Sequence, residues 1–255
     1  MGPKAHGRIL VWEGASLWIL SASPNTQYPK TDVHAHHVLQ IALALSGHVE
    51  LESGATRIRA EAVAIAPDAP HAFEGTGLVA QLFVASDSRA GREIRRRLCA
   101  EQPLAEVPAE LLGDLPAQLR TTFEAPNHRD ADLRALGEQL ITRLAGESPV
   151  QPLDPRIAKV IARVSARLDQ NLSLRDVIDL AGLSPSRTRH LFVEQTGLSF
   201  RTYLLWLRLV RAVELFANGV SLTEAAHAAG FADSAHLSRT FRRMFGISAA
   251  TLQLS

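Results

Sequence analysis

Ser173-Leu174-Arg175-Asp176-Val177-Ile178-Asp179-Leu180-Ala181-Gly182-Leu183 and Ser221-Leu222-Thr223-Glu224-Ala225-Ala226-His227-Ala228-Ala229-Gly230-Phe231 run in step at an offset of 48 residues. Past this stretch the offset becomes 49, pairing Phe192 with Phe241, Gly197 with Gly246, Leu198 with Ile247 and Ser199 with Ser248. One structural unit therefore occurs twice. Leu174, Val177, Ile178 and Ala181 recur at helical spacing, which predicts a short helix with one apolar face. Ala181-Gly182 and Ala229-Gly230 predict a tight turn, since Gly adopts positive φ cheaply and Ala lets the next helix pack close. Ser184 is the expected N-cap of the following helix with Pro185 at its first position, and Asp233 or Ser234 caps the counterpart. Each unit thus reads as helix, Gly turn, helix, an arrangement whose second helix suits a DNA major groove.

A helical hairpin packed only for stability is the alternative. Against it, the second helices carry Ser186, Arg187, Arg189 and His190 in the first copy and Ser234, His236, Ser238, Arg239, Arg242 and Arg243 in the second. These faces are rich in hydrogen-bond donors and nearly free of acid, whereas a merely solvated helix mixes both signs. Between the copies, Ser199 is expected to cap a helix carrying Phe200, Tyr203, Leu204, Leu207, Val210, Val213, Leu215 and Phe216 and ending at Asn218-Gly219. About 18 residues span roughly 27 Å, so one rod can hold two reading heads a helical turn of DNA apart. Arg201, Arg208 and Arg211 along it read as phosphate contacts or as solvated charges.

From about Asp154 to the end, the chain resembles the DNA-binding domain of AraC-family transcription regulators. The resemblance rests on Asp154-Pro155-Arg156-Ile157, Leu172-Ser173-Leu174, Ala181-Gly182-Leu183-Ser184, Leu191-Phe192, Thr196-Gly197-Leu198-Ser199-Phe200, Ala229-Gly230-Phe231 and Phe241-Arg242-Arg243-Met244-Phe245-Gly246-Ile247-Ser248. It implies groove-facing positions at Ser186, Arg189, His190, Ser234, His236, Ser238 and Arg239. Two departures stand out: Thr188 where its own repeat has Leu237, and Ala249 in place of the family's usual Pro, without the Tyr-Arg that commonly follows.

The 255 residues are 46% hydrophobic and 21% charged, the composition of a soluble globular protein with room for two domains. No apolar run approaches a membrane span, and the first ten residues lack the apolar core of a signal peptide. Cys99 is the single cysteine, so no intrachain disulfide forms and a bacterial cytoplasm, with the protein on the nucleoid, is the expected setting. The net charge of +1 hides an asymmetry. From Asp154 onward there are 13 Lys or Arg against 8 Asp or Glu, and in residues 1–153 there are 14 against 18. The basic half is the half with the repeat, as phosphate neutralisation requires.

Residues 8–85 predict short strands at Arg8–Glu13, Ser16–Ser21, Val38–Leu45, Val49–Leu51, Ala62–Ala66 and Leu78–Val84, separated by Gly and Pro signals. Such spacing predicts an antiparallel barrel. His34-Ala35-His36, Gln40 and Pro67-Asp68-Ala69-Pro70-His71 resemble the two motifs of a cupin barrel, the sensor fold common in AraC-type regulators. The resemblance implies that His34, His36, Gln40 and His71 converge on one metal. Alternate residues of a strand share a face, and imidazole suits Zn, Ni, Fe or Cu. Gln40 stands where a carboxylate is usual, and the competing reading is that the four line a pocket for an organic effector.

Residues 86–148 turn helical, with apolar stripes at Ile94 and Leu98, at Leu111, Leu115, Leu119 and Phe123, and at Leu133, Leu136, Leu140, Ile141 and Leu144. The resemblance implies a dimerisation segment, while a Leu stripe of this kind is more often intrachain core than interface. The expected organisation is an α+β chain: a cupin-like antiparallel β-barrel at 1–85, helices at 86–148, a linker at 149–155 and an all-α domain of two helix-turn-helix units at 156–255. The expected function is that of a non-enzymatic, effector-responsive regulator, by family habit an activator. Its partners would be double-stranded DNA, a small-molecule or metal effector, a second copy of itself and RNA polymerase, with no membrane. The rival is a metal-dependent cupin enzyme fused to a DNA-binding domain.

Overall fold

A computed structural model describes residues 5–21, 28, 30–147, 153–170 and 172–254. The first half is β-rich: β1 (Ala5–Trp12), β2 (Ala15–Ser21), β3 (Leu39–Ala44), β4 (His48–Ser53), β5 (Thr56–Ala60), β6 (Ala62–Ile65), β7 (Ala72–Thr76) and β8 (Leu78–Val84). Then follow α1 (Arg89–Leu98), β9 (Leu104–Glu106), α2 (Ala109–Leu112), α3 (Leu115–Glu124) and α4 (Asp130–Ala145). The second half holds α5 (Pro155–Ser165), two 3-10 turns at Leu174–Asp176 and Ile178–Ala181, then α6 (Pro185–Thr196), α7 (Phe200–Ala217), α8 (Leu222–Ala228) and α9 (Ser234–Phe245). A 3-10 turn at Ala249–Thr251 and β10 (Leu252–Leu254) close the chain.

The α+β class holds, but the strands do not close into a barrel. They form a seven-stranded sheet, ordered β10-β1-β2-β8-β3-β6-β9, and a three-stranded sheet, ordered β5-β4-β7. Side chains from both, such as Val63 and Phe83 from the larger and Val49, Leu51 and Phe73 from the smaller, share one core. The other face of the larger sheet is covered by the helices. Leu17, Ile41 and Leu82 pack there with Ile94, Leu115, Leu119, Leu133, Leu140 and Leu144. The leucine stripes are therefore intrachain core, which is why so apolar a segment needs no second copy to bury it. β9, inside the helical segment, pairs with β6, so 86–148 shares a core with the strands before it. Of the expected linker, 149–152 lie outside the described residues, and Asp154-Pro155 already cap and open α5.

The C-terminal tail departs from a helical ending. After Ala249, which is buried, the chain runs as β10 parallel to β1, pairing Ala5 with Leu252 and Gly7 with Leu254. The basic half thus contributes an edge strand to the sheet of the acidic half.

Candidate nucleic-acid interface and histidine cluster

The two helix-turn-helix units differ in how they are built. In the second, Ser221 and Glu224 form a reciprocal capping box at the start of α8, and Gly230 makes the turn at φ +81. A Cβ at Gly230 would overlap the Leu168 carbonyl, so the position takes Gly for space as well as conformation. In the first, the expected helix over Leu174–Ala181 is instead a pair of 3-10 turns. Val177 and Ile178 are adjacent β-branched residues flanked by Asp176 and Asp179, poor helix formers where the second copy has Ala225 and Ala226. Gly182, at φ +60, still turns the chain into α6.

Ser184 caps α6 by accepting the Arg187 amide, and Asp233 caps α9 by accepting the His236 amide at 2.6 Å. Thr188 is fully buried at the position of Leu237, and its hydroxyl donates to the Ser184 carbonyl at 3.1 Å, so the substitution leaves no orphan polar group. Ser186, Arg187, Arg189 and His190 are exposed on α6. On α9, Arg239, Arg242 and Arg243 are exposed and Ser234, His236 and Ser238 are half-buried. His236 stacks edge-on against Phe231 with centroids 5.1 Å apart. Between the units α7 runs 18 residues, buried through Phe200, Tyr203, Leu204, Trp206, Leu209, Ala212 and Val213. Arg208 turns inward and donates to the carbonyls of Leu168 at 3.0 Å and Gln170 at 2.7 Å, a structural brace instead of a free phosphate contact. Arg211 is ion-paired to Glu214 at 2.7 Å.

The second constellation lies in the N-terminal half. His34 and His71 face each other as an antiparallel bridge, amide to carbonyl at 2.9 and 2.8 Å. His36 completes a buried trio in which one ligating nitrogen of each ring lies within 4.8 Å of the others. Every ring is held the same way. Nδ1 of His34 bonds the Asp32 carbonyl at 2.9 Å, Nδ1 of His36 the Val38 carbonyl at 3.0 Å, and Nδ1 of His71 the Ala69 carbonyl at 2.9 Å. A carbonyl only accepts, so each Nδ1 carries the proton and Nε2 keeps its lone pair. His71 Nε2 is buried without a partner. Burial pushes all three pKa values down, that of His36 to about 4 and that of His71 to about 2, so the rings are neutral at pH 7.

Gln40 reaches this trio: its Oε1 lies 2.6 Å from His36 Nε2, and its NH2 donates to Gln81 Oε1 at 2.6 Å. With its proton on Nδ1, a neutral His36 makes the first contact a hydrogen bond only when both side-chain amides are turned over, the Gln40 NH2 then donating to Nε2 and the Gln81 NH2 to Gln40 Oε1. Gln81 was not among the sequence candidates. His37 pairs with Asp68, away from the trio.

The two constellations meet. Phe245 at the end of α9 packs on Trp18, centroids 4.7 Å apart, and on Phe83 at 5.6 Å, and Phe83 in turn meets His36 at 5.4 Å. The core of the second unit and the core between the sheets are therefore one, while the first unit keeps a core of its own around Phe192 and Tyr203. Arg242 donates to Asp32 at 2.7 and 2.9 Å, so one of the expected DNA contacts is spent on the N-terminal half.

Residues 177–254 match the family model described as a helix-turn-helix domain. Over 97 residues the chain is 40% identical to the transcriptional activator RhaS of Escherichia fergusonii, covering 37% of this chain and 34% of RhaS. It is 33% identical over 133 residues to the transcriptional regulator YidL of Escherichia coli, covering 51% of this chain and 45% of that protein. The C-terminal domain is similar to the AraC-type helix-turn-helix domains of such regulators. The chain spans less than half the length of these curated relatives, so they bear on the AraC-type domain. For the whole architecture, ToxT from Vibrio cholerae O395 superposes with a TM-score of 0.56 at 13% identity, covering 94% of this chain and 96% of ToxT, a likeness of fold. Among the described residues no helix is long and apolar enough to cross a membrane.

Sequence reasoning located the helices α6 and α9 and the three histidines that come together. It missed Asp32, Trp18 and Gln81. Trp18 and Gln81 sit in ordinary strand patterns, and nothing local to Asp32 announces a partner 210 residues away.

Proposed function

We propose that this chain is a DNA-binding transcription regulator whose AraC-type domain reads two successive major grooves with α6 and α9. The observation that carries the reading is the pair of recognition helices at the two ends of α7, each presenting donors on an exposed face nearly free of acid, Glu194 near the end of α6 being the acidic residue on it. Ser186, Arg187, Arg189 and His190 would serve one groove, and Ser234, His236, Ser238, Arg239 and Arg243 the other, with Arg242 joining once it leaves Asp32. Selection of bound sequences from a random pool tests this. Two conserved half-sites about 10 base pairs apart are expected, and uniform affinity for every sequence overturns it.

The N-terminal half is the sensor in this reading. His34, His36 and His71 fit a divalent transition metal: three neutral imidazoles, each fixed through Nδ1–H to a carbonyl, with a buried Nε2 lacking any partner. Such an ion would complete the electrostatics of that orphan nitrogen. His34 also abuts the end of α9, so filling the trio alters the seat of the second recognition helix, a change in domain placement of the kind that switches a regulator. ToxT has also been solved with an unsaturated fatty acid bound, and an organic effector at the same trio is the competing occupant. Elemental analysis of the purified, untagged protein separates them: near one metal per chain, lost in His71→Ala, supports the metal, and its absence assigns the trio to an organic effector. Activation through RNA polymerase and action as a homodimer complete the proposal, the first supported by the activator RhaS. The enzymatic alternative lacks an acid, since the described ligating group holds three histidines and no carboxylate.

A further inference from the structure

A second opening lies between the halves, on the flank of α7. It holds about 370 Å3 between the β1–β2 turn, the start of α1 and α7, within the size range of small-molecule sites. Trp12, Phe83, Tyr203 and Trp206 line it, together with the carboxylates of Glu13 and Asp87. Among its described lining residues there is no Lys, Arg or His. That is a notable absence, because α7 belongs to the half with 13 basic against 8 acidic residues.

The inner acid of this cleft is held by a hydrogen bond from α7. Asp87 accepts the Tyr203 hydroxyl at 2.8 Å, and burial, with the Asp87 charge beside it, raises the Tyr203 pKa. The phenol therefore keeps its proton and donates it in a hydrogen bond to the carboxylate. Trp12 already engages a cation, with the Arg134 guanidinium 5.8 Å from its ring centroid.

We propose that this cleft is a binding site for a small organic cation, an ammonium group carrying apolar substituents. Aromatic faces attract cations, the two carboxylates attract them further, and the apolar walls desolvate the alkyl groups. An anionic ligand would meet two like charges, with no Lys, Arg or His among the described lining residues. Since the cleft is shared by Trp12 and Asp87 of the N-terminal half and Tyr203 and Trp206 of α7, an occupant ties the sensor to the rod between the reading heads. The proposal does not depend on the DNA reading or on the histidine trio.

The test is calorimetry and tryptophan fluorescence on the full chain without DNA, using choline and its neutral carbon isostere 3,3-dimethylbutan-1-ol. Saturable choline binding is expected, with the isostere weaker by about tenfold or more. Asp87→Asn keeps an acceptor for Tyr203 but removes the charge, and should weaken choline about tenfold while leaving the isostere unchanged. Tyr203→Phe keeps the carboxylate and should keep choline binding. If Asp87→Asn fails to fold, Glu13→Gln on the exposed turn gives the same reading with a loss of about threefold. No saturable binding of choline, equal binding of the isostere, or unchanged choline affinity in the folded carboxylate variants overturns the proposal.

Discussion

The backbone of Gly246, at the end of the second recognition helix, is hydrogen-bonded to the backbone of Asp32, whose amide donates to the Gly246 carbonyl at 3.0 Å. Gly246 sits at φ +67, and a Cβ there would lie 2.5 Å from both the Asp32 carbonyl oxygen and His34 Nδ1. The absent side chain lets α9 close over the N-terminal half. Gly246→Ala therefore costs about 1–2 kcal/mol for the left-handed conformation alone. The clash adds to this and parts α9 from the Asp32–His34 segment. Urea denaturation followed by tryptophan fluorescence is expected to show a lowered midpoint and a loss of the single cooperative transition, because Trp18 reports on the α9 contact through Phe245. A midpoint equal to wild type would refute the close approach.

Arg189 and Arg239 are exposed on α6 and α9, and no hydrogen bond or ion pair among the described residues engages either. Each is free to meet a base edge. Arg189→Ala and Arg239→Ala are each expected to cost about 1–3 kcal/mol on the preferred site and to relax preference in one half-site only. Binding isotherms against the preferred site and against scrambled duplexes check this; equal losses on all duplexes would place the two guanidinia on phosphates.

In the proposed DNA reading, Asp32 and DNA compete for Arg242. Their pair is well exposed and so worth at most about 1 kcal/mol to the fold. Asp32→Ala should leave the melting temperature within a few degrees of wild type while freeing one guanidinium for phosphate. The expected result is tighter non-specific DNA binding and a salt dependence steeper by about one counterion, read from the slope of log K against log salt concentration. An unchanged slope would show that Arg242 does not face DNA even when released.

The repeat was legible because its signals are local: caps, glycine turns and apolar spacing all lie within a dozen residues, as Ser221, Glu224 and Gly230 show. The strands were half legible. β5 and β7 escaped notice because Arg57 and Arg59 alternate outward around a single Ile58 and because Gly75 interrupts the other. Three-residue strands such as β9 and β10 carry no periodicity at all. The leucines of α3 and α4 announced a buried face without saying against what, and the answer, the sheet around Ile41 and Leu82, is a tertiary fact. The histidine trio was legible from two short motifs, although His34 and His36 lie outside the named strands, whereas the clasp over it depends on pairs such as Asp32 and Arg242, far apart in the chain.

The histidine trio makes the stability of the metal-free protein depend on pH. The His36 pKa falls from 6.5 to about 4 on folding, chiefly by desolvation, so below pH 6.5 the unfolded chain binds more protons than the native one. Its contribution is fully present above pH 6.5 and is lost progressively down to about pH 4, a loss on the order of 3 kcal/mol from this group. His34 and His71 shift in the same direction and add to it. In the presence of chelator, denaturation midpoints measured from pH 7.5 to 4.5 should therefore fall steadily, with the steepest decline beginning near 6.5. His36→Gln should flatten that decline, since an amide does not titrate. A midpoint that stays level from pH 7.5 to 5 in the wild-type protein would mean that the rings are already accessible to water or protons in the native state, and the buried, fixed trio would have to be abandoned.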